Sequence, residues 1–213
     1  MCSPVDKFEA AVVYFANALK HSPTGLGHVK LAKLLFFSDK RHATQHGHSL
    51  TGCYYIHEDH GPMPEDFPDV LKDLEQAGAI ENVSVPMPGR PNPRLDVRPR
   101  RELDDDELTY DEIKTLDHIA HLRGNLSGSM LEEESHKEPV YLATQPKKTI
   151  YQEMLVAKTV EEARAIYNRI EAAEDEAAAE AARAALEGLA SGRDRLVSGD
   201  DLIKRFERET CKH

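Results

Sequence analysis

The apolar positions follow a helical period at the start of the chain. Phe8, Ala11, Val12, Phe15 and Leu19 fall on one face of a predicted first helix. Ser3-Pro4-Val5-Asp6 reads as its start, with Ser as N-cap, Pro in the first helical position and an acid at the third. Ser22-Pro23-Thr24-Gly25 breaks it, and a second helix is predicted over residues 27–45. Leu31, Leu34, Leu35 and Ser38 lie on the inner side of that helix, and Gly47 is its stop. Leu34-Leu35-Phe36-Phe37 is apolar nearly all round, which places the second helix at the centre of the domain. Residues 49–57, rich in Thr, Tyr, Cys and Ile, read as a strand, and Gly61-Pro62-Met63-Pro64 as a turn.

A third helix follows from Asp66, with Val70, Leu71 and Leu74 apolar and Gly78 at its end. Short strands are predicted at 80–85 and 94–97, joined by the proline-rich stretch 86–93. Thr109-Tyr110-Asp111-Glu112 is a capping box for a helix that carries Ile113, Leu116, Ile119 and Leu122. Gly124-Asn125 ends it, Ser127 caps a shorter helix through Ser135, and residues 136–149 read as irregular. Val160, Ala163, Ile166, Tyr167 and Ile170 begin a further amphipathic helix, after which 10 of the 19 residues from Ala172 to Ala190 are Ala. Alanine favours helix but buries little, so this segment is expected to project as a rod of about 28 Å, not to join the core. After Ser191-Gly192 a last short helix is expected from Ser198. Its Leu202, Ile203 and Phe206 form an apolar stripe of the kind laid into a groove on a partner, on a second copy or on the chain's own domain. The expected class is therefore α+β and predominantly helical: a compact helical domain with a few short antiparallel strands (residues 1–158) and a C-terminal helical extension (159–213).

Composition narrows the function. Apolar residues make up 40% of the 213 and charged residues 31%, and no apolar run approaches the length of a membrane span. Three scattered cysteines and the absence of a signal-peptide pattern argue for a cytoplasmic protein without a disulfide framework. The formal net charge is −11, divided as −1 over residues 1–100 and −10 over residues 101–213. Residues 102–138 alone carry −9. Such a surface keeps a small protein soluble, repels phosphates and suits a basic partner.

Candidate chemistry is sparse. His42, His46, His48, His57 and His60 lie within 19 residues, and His42 and His46 are one helical turn apart. Nothing in the spacing brings a closed ligand set together, so neither metal nor cofactor is expected. Cys53 and His57 would stand about 13 Å apart along a strand, too far for a nucleophile and its base. The two helices capped by Thr109 and Ser127 have the outline of a helix-turn-helix, but the second carries Glu132, Glu133 and Glu134, which makes nucleic-acid binding through it improbable. A basic patch, Arg90, Arg94, Arg98, Arg100 and Arg101, lies in and after the proline-rich stretch. No set of residues adds up to a catalytic site.

A family resemblance goes further. Residues 30–39, Lys-Leu-Ala-Lys-Leu-Leu-Phe-Phe-Ser-Asp, are followed by Gly47-His48-Ser49-Leu50-Thr51-Gly52, by Tyr54 and Tyr55, and by Gly61-Pro62-Met63-Pro64. A second stretch runs from Leu131 through Ser135-His136 to Pro139-Val140-Tyr141. Their order and spacing resemble the Panacea domain of SocA-like antitoxins and related phage-associated proteins, over residues 5–157. The resemblance implies a non-enzymatic antitoxin that neutralises, by direct contact, a toxin encoded by an adjacent gene. It singles out Lys33, Asp39, Tyr55, Gly61, Pro62 and His136 as motif residues, structural or partner-binding. Structurally, Lys33 would extend its ammonium to solvent, and His136 would orient the Glu138-Pro139 loop by a hydrogen bond. Within the family, SocA also hands its toxin to the ClpXP protease, and that adaptor role and a homo-oligomer are both compatible with the reading. The rival readings are a regulator that touches nucleic acid through the arginine patch and a metal-dependent enzyme built on the histidines.

Overall fold

The computed structural model describes residues 4–87, 89 and 91–190. The chain divides into two units, residues 1–167 and 168–213. The capping role expected of Ser3, Arg90, and the apolar stripe Leu202, Ile203 and Phe206 all lie outside the described residues.

The first unit is built around one helix. Helix α1 (Pro4–Ala18) is followed by α2 (His28–His46), which is buried without a break from Lys30 to Asp39. Helix α2 ends where Gly47 takes a left-handed conformation (φ 82°) and donates its N–H to Ala43 O at 2.9 Å. Around it pack α1, α4 (Tyr110–Arg123), α5 (Gly128–Ser135), a strand of each of two small sheets, and the 3₁₀ turn Gln152–Val156. The core is continuous from Phe8, Val12 and Phe15 through Leu31, Leu34, Leu35 and Phe36 to Leu116, Leu131 and Ile150. Thr109 and Glu112 form the expected capping box on α4, and Ser127 caps α5 by accepting from Met130 N–H.

The strands depart from the sequence reading in two places. Residues 49–54 are not a strand; β1 spans only Tyr55–Glu58. The N–H groups of Leu50 and Thr51 go to the Asp39 carboxylate and so are taken from any ladder. Gly61–Pro64 is not the turn but strand β2, antiparallel to β1, with Glu58 opposite Gly61 and the reversal at Asp59-His60. Sheet order is β2-β1-β5, so β2 is an edge, where prolines without an N–H are tolerated. Helix α6 (Pro139–Ala143) lies in the stretch that read as irregular, and strand β5 (Thr149–Ile150) begins at its last residue. Helix α3 (Phe67–Gln76) precedes the second sheet, the hairpin β3 (Ile80–Val85) and β4 (Arg94–Pro99), which is as expected.

The last described helix, α7, runs from Val160 to Ala190. At its start Ala163 is buried and packs with the first unit's core. Every residue from Ala172 to Glu187 is exposed, as alanine-rich composition requires when a helix rests on propensity alone.

A buried polar frame as the candidate functional site

Helix α2 turns two lysines and an aspartate into the core, and each fastens a different part of the chain. Asp39 is fully buried. Its Oδ1 accepts from the backbone N–H of Leu50 and of Thr51, both at 2.8 Å. Its Oδ2 accepts from the Thr51 hydroxyl at 2.5 Å and from the Tyr55 hydroxyl at 2.6 Å. Burial pushes the Asp39 carboxyl up, against the pull of these hydrogen bonds. Burial and the neighbouring carboxylate push the Tyr55 hydroxyl well up, so it keeps its proton and donates. The Tyr55 ring also meets Phe36 edge-on at 5.3 Å, which fixes the start of β1 against α2.

Lys33, one turn and a half earlier, is buried with no exposed surface. This corrects the expectation that it would reach solvent: its Nζ donates to Pro62 O at 2.6 Å. Burial pulls its pKa down to about 7, with Glu132 acting in the opposite sense. Gly61 sits directly over this lysine at φ 86°; a Cβ there would stand 2.4 Å from Ser135 Oγ and 2.9 Å from Lys33 Cε. The Gly61-Pro62 pair thus lets α2, β2 and the end of α5 meet at one point.

Lys30 is the third. It is 2% exposed and donates to Ser22 Oγ (3.0 Å), Thr24 Oγ1 (2.7 Å), Gly25 O (2.8 Å) and Gly124 O (2.6 Å). It closes the carboxyl end of α4 and the loop before α2. Burial, then Arg94, lower its pKa to about 8. Its signal in the sequence is a second lysine three residues before Lys33, in the apolar stretch of α2.

His136 follows α5 and acts by stacking, not by the hydrogen bond expected of it. Its ring lies 4.7 Å from that of Tyr141 and nearly parallel, and its buried Nε2 has no partner. His57 stacks on the same tyrosine at 3.8 Å, with its Nδ1 2.8 Å from Thr144 O. Tyr141 donates its hydroxyl to Glu58 O at 3.0 Å. His57 and His136, 79 positions apart in the chain, are thus joined by Tyr141.

The other candidates scatter. The rings of His42, His46 and His48 cluster, with centroids 4.3 and 5.0 Å from that of His42, but the closest pair is stacked, so the two rings face each other and do not point at a common centre. His60 pairs with Glu132 at 3.0 Å and His57 lies under Tyr141. Among the described residues no group of His, Cys, Asp and Glu is arranged to hold a metal. Cys53 is half-buried, and burial pushes its thiol far up, away from the reactive thiolate. Glu132, Glu133 and Glu134 are paired with His60, Lys137 and Arg123. No described helix is long and apolar enough to cross a membrane.

Fold and frame define a predominantly helical α+β domain, organised round one helix whose inward polar residues tie the strands and the α5–α6 segment together. The chain belongs to the SocA-like antitoxin family, Panacea domain: the family's model matches residues 31–140, more than half of the 213. Comparison with curated proteins finds no match.

Proposed function

We infer that this chain is the antitoxin of a toxin–antitoxin pair, and that it neutralises a toxin protein encoded beside its gene by binding it directly in the cytoplasm. The observation that carries the reading is where the family match falls. Residues 31–140 contain Lys33, Asp39, Tyr55, Gly61, Pro62 and His136. The first three are fully buried, so in this reading they hold the frame and leave the exposed surface to meet the partner. Recognition by contact asks for no catalytic group, and the neutral, stacked or paired histidines fit that reading. Delivery of the toxin to ClpXP is a separate step that the binding reading does not require.

The test is growth. Expression of the adjacent gene alone should arrest cells, co-expression of this chain should restore growth, and the two proteins should co-purify. Rescue with no complex would point to control of expression or to an enzymatic antidote instead.

A further inference from the structure

The hairpin β3–β4 carries the basic patch of the sequence, and the structure separates its members. Arg94 is spent on Asp96, at 2.5 and 2.8 Å, and Arg101 on Glu107, at 2.5 and 2.6 Å. Arg98 and Arg100 remain at the end of β4, where they meet Lys20 and His21 from the end of α1. These four side chains, with Glu81, Val83 and Pro99, line a groove of about 480 Å³. Glu81 is its one carboxylate. It lies across the ladder from Arg98 but pairs with Arg100 at 2.6 Å. Among the described residues Lys20 and Arg98 are exposed and make no ion pair. Three permanent cations against one carboxylate leave a groove of +2 on a chain of net charge −11.

The rim is fixed independently of these side chains. Asn17 Nδ2 donates to Arg101 O at 2.9 Å, which ties the end of α1 to the end of β4. The N–H groups of Arg100 and Arg101 both donate to Ala79 O, at 2.9 and 3.3 Å. The backbone segments that carry the cations are therefore held near one another before any ligand arrives, which lowers the ordering cost of binding.

We propose that this groove docks a short acidic segment of the partner protein, an inference that rests on the antitoxin reading for the partner's identity. Charge complementarity selects the occupant. The chain turns strongly acidic immediately after Arg101, residues 102–138 carrying −9, which disfavours a long polyanion such as nucleic acid. A segment of a few Asp or Glu residues needs only the groove itself. Val83 and Pro99 give such a segment apolar contact between the charges. The surrounding negative surface then rejects acidic chains docked anywhere else, so one local contact sets orientation as well as affinity.

The test uses the full-length chain and a fluorescein-labelled hexaglutamate peptide, read by anisotropy at low salt. Saturable binding is expected, weakened about tenfold or more in a Lys20→Glu, Arg98→Glu double variant whose thermal melt matches that of the unmodified chain. Absence of saturable binding, equal affinity in the double variant, or tighter binding of a 12-nucleotide single-stranded DNA than of the peptide would each overturn the proposal. With the co-expressed toxin, a complex formed equally well by the double variant would also overturn it and leave neutralisation intact. Failure of the unmodified chain to bind any toxin would sink the antitoxin reading, while the peptide result would still decide the groove.

Discussion

Asp39 shows how much one side chain is asked to do. Four donors converge on a carboxylate with no exposed surface, and no cation is among them. Removing one donor leaves buried oxygen under-satisfied at a cost of about 1–3 kcal/mol. Tyr55→Phe should therefore lower stability by that amount in urea titration, with no change of fold. A variant as stable as the parent would mean that the Tyr55 hydroxyl is dispensable to the frame. Lys33 and His42 carry the pH dependence. The folded state holds Lys33 near a pKa of about 7 against 10.5 for the free side chain. Between those values the unfolded chain binds more protons, so this residue's contribution to stability rises with pH across that window. Replacing it, Lys33→Met, should flatten the slope between pH 7 and 10.5 relative to the parent; identical slopes would show that the lysine stays charged in the core. His42 is 2% exposed, and burial, then His46 and His48, bring its pKa down from 6.5 to about 4. It is neutral in the fold, so its contribution is complete above pH 6.5 and lost as pH falls towards 4. A His42→Gln variant should lose less stability than the parent between pH 6.5 and 4 in urea titration; equal losses would show that burial leaves this imidazole unperturbed.

Among the elements, the helices were legible because their signals are local. Periodicity placed α1, α2, α3 and α4, and the caps at Thr109 and Ser127 fixed the starts of α4 and α5. The strands were less so, because what decides them is distant. A stretch rich in Thr and Tyr reads as extended, but the Asp39 carboxylate removes its backbone donors from the ladder. Gly61-Pro62 reads as a turn, yet the hairpin closes two residues earlier and places Pro62 O over Lys33. The candidate site was legible only as a motif: the resemblance named six residues, and composition rules that put lysine on the surface hid what Lys33 and Lys30 do. The contact of His57 with Tyr141 follows from chain closure over more than 80 residues, which no local pattern records. Gly61 is where elements meet most tightly. Gly61→Ala combines a left-handed backbone with a Cβ 2.4 Å from Ser135 Oγ, and should cost more than about 2 kcal/mol, seen as a lowered melting temperature. A variant that melts with the parent would show that α5 yields easily at this junction.

For the molecule as a whole, the distribution of charge and burial suits recognition by surface contact. Lys33, Asp39 and Tyr55 are buried, while the chain carries a net charge of −11 and, among the described residues, a basic groove at the end of β4. A protein that acts by occupying its partner must be consumed in proportion to it, whereas one that acts catalytically need not be. Neutralisation by contact is therefore decided by titrating separately purified toxin with this chain, following toxin activity and complex formation on a sizing column in the same samples. Activity should fall in step with the appearance of one heavier species and reach its floor at a fixed ratio of the two proteins. Loss of activity at a small fraction of that ratio, with no heavier species present, would contradict it.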